Sequence, residues 1–101
     1  MSQASHHDIV IIGGGAAGIA TASSLLKRSA ALNIAVVEPS TDHFYQPGWT
    51  MVGGGVFTAP VTRRAMASVM PKGVRWIRAA AASFQPEDRQ VTLADGSTLG
   101  Y

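Results

Sequence analysis

Two runs of apolar, β-branched residues punctuate the first forty positions. Asp8-Ile-Val-Ile-Ile12 and Ile34-Ala-Val-Val-Glu38 have no alternating polar face. They predict strands buried on both sides, the type found in parallel sheets. Between them, Ala16 to about Arg28 is rich in Ala and Leu, and Ile19, Ala22, Leu25 and Leu26 fall at helical spacing. A helix is predicted there, with Lys27 and Arg28 complementing the dipole in its last turn. Val74-Arg-Trp-Ile-Arg78 predicts a third strand. Val61 to Met70 predicts a short helix, with Thr62 as N-cap and Pro71-Lys-Gly73 as its stop. Ala80 to Phe84, Gln90 to Ala94 and Thr98 to Tyr101 predict short strands joined by Pro86-Glu-Asp-Arg89 and by Asp95-Gly96, a strong hairpin signal. Met1 to His7 is polar and predicts a flexible tail, and residues 40 to 60 predict a long loop.

The order of elements is β-α-β, a helical crossover, a third parallel strand and an antiparallel meander. This predicts an α/β fold of Rossmann-like βαβ type over residues 1–101. A parallel sheet of three strands is short for its class, so the chain reads as an incomplete domain, the N-terminal part of a longer protein. Its loose end at the sheet edge invites self-association.

Composition narrows the chemistry. The chain is 47% hydrophobic and 14% charged, which supports a packed core and argues against disorder. Net charge is +2, and Arg63-Arg64 is the only arginine pair, so no nucleic-acid footprint is present. The absence of cysteine excludes disulfides, thiolate metal sites and thiol redox chemistry within these residues. The Ile9–Ile12 run is too short to span a bilayer, and no basic segment precedes it as in a signal peptide. His6-His7 lacks a third ligand, so no metal site is assigned.

The chemistry-bearing motif is Gly13-Gly-Gly15-Ala16-Ala17-Gly18, a G-x-G-x-x-G pattern placed after a buried strand and at the start of a helix. In that context Gly13 permits the tight turn, Gly15 lets a pyrophosphate approach the backbone, and Gly18 lets helix and strand pack closely. The helix N-terminus adds free N–H groups and a partial positive charge. Ala22 is a further small residue on the sheet-facing side. Glu38 follows Gly18 by 20 positions and ends the second strand, where a carboxylate can accept hydrogen bonds from ribose hydroxyls and disfavour a 2′-phosphate. The alternative is an ordinary β-α turn with a solvated acid. The motif leaves FAD and NAD both open.

The segment His43-Phe-Tyr-Gln-Pro-Gly-Trp-Thr-Met-Val-Gly-Gly-Gly55 is aromatic and glycine-rich, unlike a solvated linker. Together with the fingerprint "DIVIIGGGAAGIA" and the strand "IAVVEPS", it resembles the N-terminus of the sulfide:quinone oxidoreductase family. These are flavoproteins with two dinucleotide-binding domains. The resemblance implies FAD as cofactor and sulfide and quinone as partners of the full-length parent. It implies a cytoplasmic location, peripheral to the inner face of a membrane. It also implies that Pro39 and the loop after it lead from the ribose toward the flavin ring, with Gln46, Pro47, Gly48, Trp49 and Thr50 beside it, and that backbone near Ala79 meets the adenine. Phe44 is divided between core and cofactor. His43 reads as a turn residue, Arg63 and Arg64 as a solvated face, and Met51 and Met70 as apolar filler. No catalytic residue is assigned, because the family's redox cysteines are missing from this chain, so these residues alone are expected to be inactive. The alternatives are an NADH:quinone or disulfide-reductase-like flavoenzyme, or a non-catalytic, self-associating nucleotide-binding module.

Overall fold

A computed structural model describes residues 5–101. Three parallel strands form the central sheet: β2 (Ile9–Ile12), β3 (Ile34–Val37) and β6 (Val74–Ile77), with β3 in the middle. Ile9 pairs with Ile34, and Ile34 with Val74, in unbroken register. Helix α1 (Ala16–Arg28) is the crossover from β2 to β3. A second sheet holds β7 (Ala81–Gln85), β8 (Gln90–Leu93) and β9 (Thr98–Gly100), with β1 (Ser5–His6) added parallel to β9.

The layers follow from strand alternation. Ile34 and Val36 point to one face and pack with Ala22 of α1, flanked by Ile9, Ile11, Leu25 and Leu26. Val37 points to the other face and packs with Val91, Leu93 and Leu99 of the meander, flanked by Val10 and Ile77. Period-two side chains thus feed two cores from one sheet, and only the middle strand is buried at every position. The prediction of two fully buried strands fails for β2. It is half-buried, and Ile12 is 46% exposed, because β2 lies at a sheet edge among the described residues.

Three further expectations are corrected. The tail is not loose from Ser5 onward: β1 pairs with β9, and His7 is buried, its Nδ1 2.9 Å from Asn33 Oδ1. The rest of that predicted tail, residues 1–4, lies outside the described residues. The helix expected over Val61–Met70 shrinks to α3 (Met66–Val69). Arg63–Ala65 instead forms β5, antiparallel to β4 (Asp42–Phe44), with an Arg63–Asp42 ion pair at 2.9 Å. Thr62 does not cap a helix, since its hydroxyl donates back to the Ala59 carbonyl. Strand pairing outbids local helix propensity here because it satisfies main-chain groups of both segments. The predicted loop over 40–60 is also ordered locally: β4 is followed by a 3₁₀ turn at Gln46–Gly48 and by α2 (Trp49–Gly53).

The Asp95-Gly96 hairpin forms as predicted, with Gly96 at φ +89°. Donation from the Ser97 hydroxyl, and then from its amide, holds the Asp95 carboxyl below the usual aspartate range. A depressed folded pKa means that this turn's contribution is present above the unfolded pKa and is lost as pH falls through the folded one. An NMR titration of Asp95 is expected to show a low midpoint that Ser97→Ala raises. Identical midpoints in the two proteins would contradict the assignment.

Candidate nucleotide-binding site

The site begins where β2 turns into α1. Gly13 sits at φ +105°, in the left-handed region that glycine occupies without strain, and its amide donates to the Val37 carbonyl at 2.9 Å. Gly18 is packed against this turn so closely that a Cβ on it would lie 2.0 Å from the Gly13 carbonyl oxygen. Gly15 is the opposite case. It is the N-cap of α1 with extended backbone (φ −71°, ψ −173°), and a Cβ there would meet nothing within 4 Å. No side chain caps the helix, and its first turn holds no acid. The amides of Ala16 and Ala17 therefore have no intrahelical or side-chain acceptor, and the dipole there is positive.

These donors line an open cleft of about 600 Å³ walled by Ile12, Gly13, Gly15, Ala16, Ala17, Gly18, Gln46 and Pro47. A smaller cavity of about 180 Å³ adjoins it and shares Gly15 and Gln46, with Glu38, Ser40 and His43 on its walls. Glu38 holds the two regions together. Its Oε1 accepts from the Gly14 amide at 2.9 Å and its Oε2 from the Ser40 amide at 2.8 Å. A carboxylate offers about four acceptor sites, so two remain for a ligand hydroxyl pair. The Glu38 backbone is fixed as well, its amide donating to Ile77 and its carbonyl accepting from Trp76 Nε1 at 2.9 Å.

Of the residues singled out in the sequence, the fold brings Gly13, Gly15, Ala16, Ala17, Gly18, Gln46 and Pro47 to one cleft and Glu38 to the cavity beside it. Pro39, Trp49, Thr50 and Ala79 line neither. Trp49 opens α2, half-exposed, with its ring edge-on to Phe44 at 6.3 Å. Ala79 follows β6 and packs against the Val37–Leu93 core. Sequence reasoning missed Gly14, Ser40 and His43. Gly14 left one signal: a third consecutive glycine is more than the motif requires. A Cβ on Gly14 would meet Glu38 Cγ at 2.9 Å and Met66 Sδ at 3.1 Å. His43 is a buried residue of strand β4, not of a turn, and its Nδ1 lies 2.9 Å from the Gly14 carbonyl oxygen. No cluster of three His, Cys, Asp or Glu able to hold a metal exists among the described residues.

The profile of FAD-dependent oxidoreductases matches residues 8–96. This chain belongs to that family. The FAD-dependent oxidoreductase chain is 40% identical to mitochondrial sulfide:quinone oxidoreductase of Mus musculus over 95% of its own length and 21% of the relative's. It is 42% identical to the mitochondrial sulfide:quinone oxidoreductase of Dictyostelium discoideum over 92% of its length and 21% of the relative's. The solved sulfide:quinone oxidoreductase of Aquifex aeolicus superposes with a TM-score of 0.79 at 28% identity, covering 97% of this chain and 23% of that one. The resemblance stated from the sequence therefore holds, and the chain spans about a fifth of the length of these relatives. Among the described residues, no helix is long and apolar enough to cross a membrane.

Three glycines of the turn thus separate by role. Gly18→Ala is expected to cost about 3 kcal/mol of stability or more, since backbone itself blocks the methyl. Gly14→Ala is expected to cost about 1–3 kcal/mol by displacing Glu38. Gly15→Ala is expected to leave stability within about 0.5 kcal/mol. Urea unfolding of the three variants checks the order, and a destabilised Gly15→Ala would contradict it.

Proposed function

We propose that this chain forms the ADP-binding part of the FAD cradle in a sulfide:quinone oxidoreductase. The observation that carries the reading is Gly15. The fold has room for a side chain there, yet the position is glycine and faces a cleft lined by unpaired helix-terminal amides. A pyrophosphate fills such a space, because its oxygens accept from main-chain N–H groups and its charge suits the helix N-terminus. Glu38 supplies the ribose contact through its remaining acceptor sites.

The residues fit the cofactor. Gly13, Gly15, Ala16, Ala17 and Gly18 would hold the phosphates and Glu38 the ribose, while Pro39, Gln46, Pro47, Trp49 and Thr50 would lead toward the flavin ring and the backbone at Ala79 would meet the adenine. When bound, FAD supplies two-electron transfer between a sulfur donor and a quinone. This chain's part is to bind and orient one end of it. Capture of sulfide calls on cysteine thiolates, and these residues contain none. The 40% and 42% identities favour this reading over the alternative flavoenzymes. In the complete protein the flavin domain lies at a membrane surface, where a quinone is reached.

Calorimetric titration with ADP tests the reading. Gly15→Val is expected to fold and to lose ADP binding. Glu38→Ala is expected to weaken it by about 1.5–3 kcal/mol, the scale of hydrogen bonds to a charged group. Unchanged ADP affinity in a folded Gly15→Val would sink the phosphate assignment.

A further inference from the structure

The least expected contact at the cleft is that of His43. Its imidazole is buried in β4, and a buried N–H without a partner is costly. Its partner is the Gly14 carbonyl, 29 positions earlier, at 2.9 Å. A carbonyl oxygen can only accept, so Nδ1 carries the proton.

That bond acts on the next amide. The Gly14 carbonyl and the Gly15 N–H belong to one planar trans peptide, in which C=O and N–H point in opposite directions. Both flanking residues are glycines, so no Cβ resists rotation of the plane. A flipped plane would turn a carbonyl, not an amide, toward bound phosphate. The preceding peptide is held separately, because the Gly14 amide donates to Glu38.

We propose that His43 is a positioning residue for the nucleotide cleft: by donating to the Gly14 carbonyl it locks the Gly14–Gly15 peptide with the Gly15 N–H toward the phosphate site. The proposal rests on the nucleotide reading of that cleft. His43 has no acid–base part in it. β4 brings the ring to the turn, held by the β5 pairing, the Asp42–Arg63 ion pair and the Ser40–Asp42 hydrogen bonds. The aromatic segment after Glu38 therefore serves the phosphate end as well as the ring end of the cofactor.

The test uses the ¹⁵N-labelled chain, with ADP as probe. His43→Leu removes the donor, and His43→Asn keeps an N–H near the Nδ1 position. In folded His43→Leu the residual dipolar coupling of the Gly15 amide is expected to depart from the structure while those of β2, β3 and β6 still fit. ADP affinity is expected to fall at least tenfold, and His43→Asn is expected to restore both. A folded His43→Leu with an unchanged Gly15 coupling, or with ADP affinity within twofold of the parent, overturns the proposal. If His43→Leu does not fold, His43→Gln, whose amide reaches the position of the other ring nitrogen, is judged by the same criteria. Failure of the unaltered chain to bind ADP would overturn the nucleotide reading instead, and the Gly15 coupling would then decide alone whether His43 sets the peptide.

Discussion

The hydrogen bond from the Gly14 amide to the Glu38 carboxylate, 2.9 Å long, is the contact on which the site depends. It joins the turn after the first parallel strand to the end of the second. The two strand ends are already adjacent through the Gly13–Val37 bond, but that bond leaves the turn free to tilt. Glu38 removes the freedom by bonding Gly14 with one oxygen and Ser40 with the other. Gly14 must lack a Cβ for this to happen. A charge-assisted bond of this kind is worth more than a neutral one, and it lies at the cleft where ordering of the main chain matters most.

Around that bond the cost of building the site is divided among neighbouring glycines. Gly13 gives the turn its handedness, Gly18 lets the helix approach, and Gly14 makes room for the acid. These three serve the fold. Gly15 alone of the four has neither a positive φ nor a neighbour within 4 Å of a Cβ among the described residues, and that open space is what the proposed phosphate would fill. The G-x-G-x-x-G pattern thus combines two constraints that its letters do not distinguish: shape needed to fold and emptiness needed to bind.

Much of this was legible in the sequence. The α1 limits match the Ala/Leu-rich run because helical periodicity and a glycine boundary agree there. The β3 limits match because a central strand is apolar throughout. Pairing across distance was not legible. Val61–Met70 looked helical, and only the approach of Asp42–Phe44 turned Arg63–Ala65 into a strand. Ser5–His6 looked like a tail until β9 offered it an edge. His43 escaped for the same reason. A lone histidine carries no local signal, and its partner lies 29 residues away on a backbone oxygen. The resemblance implied a place beside the flavin ring for Gln46, Pro47 and Trp49; the fold sets Gln46 and Pro47 in the cleft with the glycine turn and leaves Trp49 half-exposed beside Phe44.

The central claim is that the turn and the acid act as one receptor for the ADP end of a flavin dinucleotide. Its most direct test is an amide chemical-shift map of the ¹⁵N-labelled chain titrated with ADP. The account predicts that the largest shifts fall at Gly13–Gly18 and at Glu38–Ser40, with β8 and β9 unmoved. Shifts concentrated instead around Tyr45, Phe57, Val61 and Arg64, which line the cavity on the other side of His43, or no shifts at saturating ADP, would contradict it.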